Sequence, residues 1–100
     1  MFVGTLVIDL LLGDVRSRKE KRSVIRPVLA ELRRLEVAVA EVGHRDLYRR
    51  SEIGVGVVGA EAEHLRRVLD RAEHLVARRP EIEVLSASSR IASHSDDCPD

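Results

Sequence analysis

The chain of 100 residues contains no Trp, Asn or Gln, and one each of Phe, Tyr, Cys and Met. Each scarcity closes a route. With Phe2 and Tyr48 as the sole aromatics, the core must be built from aliphatic side chains, and stacking platforms for bases cannot be laid across a sheet. The lone Cys98 excludes an internal disulfide and a Cys-x-x-Cys metal or redox centre, and fits a reducing compartment. No stretch approaches the roughly 20 apolar residues that a membrane span requires. The apolar run Phe2 to Leu12 lacks a basic leader, carries Asp9 in its middle and is followed by no small-residue cleavage site, so it is not expected to act as a signal peptide. The protein is therefore expected to be cytoplasmic, with no membrane partner.

What is present is a normal aliphatic content, enough for one core in one domain. Leu6, Ile8, Leu10 and Leu12 alternate with Val3, Thr5, Val7 and Asp9, the period of a strand. Ser17-Arg18-Lys19-Glu20 matches a capping box, and Val24, Ile25, Val28, Leu29, Leu32 and Leu35 follow as one helical face. Pro27 lies inside that helix and predicts a kink there, or a helix regular only beyond it. Val37 to Val42 predicts a second strand, Gly43 to Ser51 or Glu52 a polar loop, and Ile53, Val55 and Val57 a third strand. A second helix starts at Glu61 and Glu63, buries Leu65, Val68, Leu69, Ala72, Leu75 and Val76, and stops at Pro80. Ile82 to Leu85 predicts a fourth strand. The order β-α-β-β-α-β is that of a ferredoxin-like (split βαβ) α+β domain, a four-stranded antiparallel sheet with two helices on one face. Residues 1–88 are expected to form this domain and residues 89–100, rich in Ser, Asp and Pro without periodicity, a mobile tail. The other sheet face, with Val3, Thr5 and Val7, is expected to meet a partner, a second copy of the chain being the simplest.

The formal net charge is zero, yet the charges are segregated. Residues 16–50 hold eleven Arg and Lys against five Asp and Glu, whereas residues 51–100 hold six against ten. The first helix opens on Arg16, Arg18, Lys19, Lys21 and Arg22. Cations there oppose the helix dipole at a few tenths of a kcal/mol each, and dipole and side chains together make a positive focus suited to phosphate. The loop after Gly43 adds His44, Arg45, Tyr48, Arg49 and Arg50, an aromatic among bases, as in proteins that grip single-stranded RNA. A solvated charged helix end, and a loop whose Leu47 and Tyr48 pack back onto the domain, are the plain alternatives.

Three stretches, Ser17 to Arg22, Ala40 to Arg50 and Ile53-Gly54-Val55, resemble motifs of the YlxP-like family of uncharacterised bacterial proteins. The resemblance spans about residues 1–88, with Arg18 where the family usually has Leu and Tyr48 where it usually has Trp. It implies a ferredoxin-like fold and, because genes of the family often neighbour those for translation initiation and ribosome-binding factor A, a setting near ribosome maturation. No activity comes with it.

Enzymatic readings find little support. Gly54-Val55-Gly56-Val57-Val58-Gly59 matches G-x-G-x-x-G, but its glycines alternate with Val inside a predicted strand, whereas a dinucleotide site needs them in the turn after one. His94 and Cys98 do not make a metal site, and the absence of Asn removes the phosphate cradle of ferredoxin-like acylphosphatases. His64 and His74 read as surface residues of the second helix. Glu41, His44 and Asp46 are the weakest catalytic candidates. The chain is thus expected to be a non-catalytic module without cofactor or metal that binds RNA or a ribosomal subunit. The alternative is a homodimeric protein–protein interaction domain with no nucleic-acid partner.

Overall fold

The alternation of apolar residues along the first strand decides which side of the sheet is covered. In the computed structural model, which describes residues 1–94, β1 spans Phe2–Leu12, and Leu6, Ile8, Leu10 and Leu12 are buried while Thr5 and Val7 are exposed. The remaining elements are α1 (Arg18–Arg33), β2 (Ala38–Gly43), β3 (Arg50–Gly59), α2 (Ala62–Ala77) and β4 (Ile82–Ser93). The strands form one antiparallel sheet in the order β2-β3-β1-β4. This is the ferredoxin-like α+β arrangement that the order of elements predicts.

Both helices cover the same side. Ile25, Val28 and Leu32 of α1 and Leu69, Ala72 and Val76 of α2 join the buried β1 residues, Ile53, Val55 and Ile82 in a single aliphatic core. Ser17 caps α1 by accepting a hydrogen bond from the Glu20 amide at 3.1 Å. The helix runs unbroken through Pro27, so it is regular on both sides of the residue; the ring lies on the exposed face. Arg79, just beyond α2, reaches Glu31 of α1 at 2.7 Å and Glu81 at 3.5 Å, tying the helix layer together at that end. The hydrogen bond to Glu31 raises the Arg79 guanidinium above its ordinary pKa, against the opposing effect of burial.

Two boundaries differ from expectation. β3 begins at Arg50 rather than Ile53, because the side chains of its first two residues are held by strand neighbours, Arg50 by Asp9 and Ser51 by Glu41. β4 continues to Ser93 rather than ending at Leu85, pairing with β1 as far as Ser93 opposite Phe2. The boundary expected at residue 88 therefore falls inside a strand. Ser86 to Arg90 carry no hydrophobic alternation because this edge strand is exposed on both sides there. Of the expected tail, residues 89–93 are strand and residues 95–100, with Cys98, lie outside the described residues.

Candidate nucleic-acid interface

The cationic residues at the start of α1 and in the β2–β3 loop divide into two populations. Lys21 continues the buried stripe of α1 backwards by one turn from Ile25 and is only 5% exposed. Its ammonium donates to the carbonyls of His44 at 2.8 Å and Leu47 at 2.6 Å, and lies 2.9 Å from Glu41 Oε2. Glu41 also accepts from the hydroxyl of the fully buried Ser51 at 2.7 Å. An ammonium buried like this is tolerable only because carboxylate and carbonyls replace its water. Lys21 thus shapes the loop from inside, where His44 adopts a left-handed backbone (φ 56°), and offers no ammonium to phosphate.

Arg50 is likewise engaged internally. Its Nη2 donates to both carboxylate oxygens of Asp9, at 2.9 and 2.8 Å, across the open sheet face. His44 Nε2 lies 3.7 Å from the same carboxylate. Arg49 donates from Nε to the carbonyl of Gly13 at 3.1 Å, fastening the β2–β3 loop to the β1–α1 connection. Arg16 pairs with Asp14 at 3.1 Å in full solvent, a contact of little energetic weight.

The second population faces outward. Arg18 and Arg22 follow one another at i and i+4 along α1, and Arg26, one turn further, extends the row. The rise per turn spaces the three cations about 6 Å apart along the axis. Across from them stands Arg45 in the loop, and between lies a groove of about 550 Å³ floored by Ile25 and Leu29, with Glu41 and Asp46 on its rim. Arg22, Arg26, Arg45 and the nearby Lys19 have no carboxylate partner among the described residues, and Arg18 has only a 3.8 Å contact with the exposed Asp46. Tyr48 and Leu47 are 43% and 49% exposed, so a large part of each is open to solvent. Arg26 is the member that sequence reasoning missed; its signal was the fixed helical spacing from Arg18 and Arg22.

The candidate catalytic set is not brought together. Asp46 has a side chain 93% exposed whose ionic contact is with Arg18, the carboxylate near His44 is that of Asp9, and Glu41 is committed to Lys21 and Ser51. The glycine motif lies wholly within β3, with no glycine at positive φ. Two of its three glycines serve packing: a Cβ on Gly54 would meet Val42 Cγ1 at 2.9 Å, and one on Gly59 would meet Leu65 Cδ1 at 2.7 Å. Among the described residues no three His, Cys, Asp or Glu side chains are grouped as metal ligands would be, and no helix is long and apolar enough to cross a membrane.

Fold and groove together define a small ferredoxin-like α+β domain with a cationic groove between its first helix and its β2–β3 hairpin. The chain belongs to a family described as a protein of unknown function (DUF503), whose model matches residues 3–89. It is 27% identical over 82 residues to the uncharacterized protein YlxP of Bacillus subtilis (strain 168), covering 81% of this chain and 89% of that protein. The family resemblance seen in the motifs is thereby established. Among solved structures the fold is similar to a de novo designed protein, Foldit4, with a TM-score of 0.56, 16% identity, and 95% of this chain and 100% of that one covered. It is also similar to SnoaB, a cofactor-independent oxygenase from Streptomyces nogalater, with a TM-score of 0.51, 12% identity and full coverage of both chains. At such identities these two likenesses concern the fold alone.

Proposed function

We propose that this domain is a non-catalytic module that binds RNA, free or within a ribosomal subunit, through the groove between α1 and the β2–β3 hairpin. The carrying observation is the row Arg18, Arg22 and Arg26 facing Arg45, in which three of the four guanidiniums have no carboxylate partner among the described residues. Guanidiniums without internal partners present planar forks of donors to phosphate oxygens, and a row at helical spacing can follow a backbone that carries one charge per nucleotide. Lys21 builds the loop wall of this groove by holding three of its backbone carbonyls, so its role is to position Arg45 and Tyr48. Tyr48, exposed on the same β2–β3 loop as Arg45, supplies one stacking surface. A cytoplasmic setting beside the ribosome goes with such a partner and with the gene neighbourhood of the family.

The experiment is binding of the purified protein to ribosomal subunits and to their RNA at low and moderate salt, with an Arg22→Glu/Arg26→Glu/Arg45→Glu variant alongside. Binding that weakens as salt rises and is lost in the variant is the expected result. Binding unaffected by the charge reversal, or absent from the native protein at low salt, would remove RNA as the partner of this groove.

A further inference from the structure

The side of the sheet opposite the helices has an unusual composition. Its central rows are formed by Val3, Thr5 and Val7 of β1, Gly54, Gly56 and Val58 of β3, and Ala38, Ala40 and Val42 of β2. None of these nine is charged, in a chain of which 34% of residues are. A sheet face that meets only water normally alternates in charged and strongly polar side chains. Charge on this face is confined to its margin, with Asp9, Arg50 and Glu52 toward one end and Arg90 on the edge strand β4. An uncharged centre ringed by charge is the anatomy of a protein interface.

Gly56 adds an independent mark. Glycine inside a strand weakens it, through backbone entropy and the missing side chain, unless something approaches too closely for a Cβ. Gly54 and Gly59 have such neighbours within the molecule, and Gly4 and Gly43 do as well. At Gly56 nothing lies within 4 Å of where a Cβ would stand, and its φ is not positive. Within one copy of the chain this glycine has no packing reason. It lies in the middle of the face, beside Thr5 and Ala38, and next to Val58, which is 62% exposed.

From these observations we infer that the open face is a self-association surface, covered by the same face of a second copy of this chain. At about 4.8 Å between strands and about 3.4 Å per residue, the four strands present roughly 600 Å². Two copies stacked face to face therefore bury roughly 1,200 Å², the lower bound for a specific, stable interface. The charges suit a two-fold arrangement. Arg90 and the Asp9–Glu52 pair lie on opposite sides of the row Ser88, Val7, Gly54 and Ala40, in register across the sheet. A two-fold axis along that row turns Arg90 of each copy toward the carboxylates of the other. Sheets stacked in this way approach to about 10 Å, and about that axis the small Ala38 and Gly56 leave room for Val42 and Glu52 of the other copy. The cationic groove lies on the helix side and stays uncovered, so this inference stands or falls independently of RNA binding.

The test is sedimentation velocity over a range from low to high micromolar protein, on the native chain, Gly56→Val and Val7→Asp, with urea unfolding of each variant in parallel. A native dimer whose association weakens at least tenfold in both variants is expected. Gly56→Val should unfold at the same or higher urea concentration at the dilute end, since a β-branched residue fits the strand of a single copy. A native protein monomeric throughout, or a dimer equally strong in both folded variants, would overturn the proposal.

Discussion

The two helices have the same length and pack on the same side of the same sheet, yet they treat charge in opposite ways. α1 carries six Arg and Lys against two Glu, whereas α2 carries three Arg against three acidic residues. On α2 acidic and basic side chains alternate along the surface, with Glu63 beside Arg66 at 3.4 Å and Asp70 3.6 Å from the His74 ring. On α1 the exposed cations run together, and its one buried cation is satisfied by the loop opposite. An arginine-rich composition therefore does not by itself create a positive site. The field arises where acids are withheld, and it gains shape where a buried lysine holds the facing loop in place.

The sharpest break in this comparison is expected at adjacent residues, Lys21 and Arg22. Lys21→Met strands the Glu41 carboxylate with a single hydroxyl partner and releases the carbonyls of His44 and Leu47. It should cost about 3 kcal/mol, the usual penalty for breaking a buried ion pair from one side. Arg22→Met, fully on the solvent side, should stay within about 0.5 kcal/mol. Urea denaturation followed by circular dichroism measures both. Next in size is the cap: Ser17→Ala should cost about 1 kcal/mol by leaving the Glu20 amide unpaired. The smallest effect is expected at Arg16→Met, whose exposed pair with Asp14 should be worth less than about 0.5 kcal/mol.

The strands and helices that bury aliphatic side chains were legible in the sequence, because period two in β1 and the helical stripes of α1 and α2 report directly which side faces the core. What escaped was set by polar groups. The start of β3 depends on Arg50 and Ser51 finding Asp9 and Glu41, partners far along the chain that no local pattern reveals. The second half of β4 escaped because an edge strand exposed on both sides has no apolar face to alternate. At the site, counting cations around the first turn of α1 gathered side chains of different fates. Lys21 is buried, Arg50 is held by Asp9 on the opposite sheet face, and Arg26 belongs to the groove. A sign of Lys21's burial was present, since residues 21, 25, 28 and 32 form one stripe at helical spacing. Its charge hid that regularity.

The comparison of the helices also yields the most direct measurement of the central claim, that the α1 groove and not the general arginine content binds RNA. Affinity for ribosomal RNA would be measured against salt concentration for three proteins: the native chain, Arg22→Glu/Arg26→Glu, and Arg67→Glu/Arg71→Glu on α2. The account predicts that log affinity falls linearly with log salt for the native chain, that the α1 variant loses about one unit of slope per lost phosphate contact, and that the α2 variant keeps the native slope. Equal losses in the two variants would contradict it, showing binding spread over the charged surface rather than held by the groove.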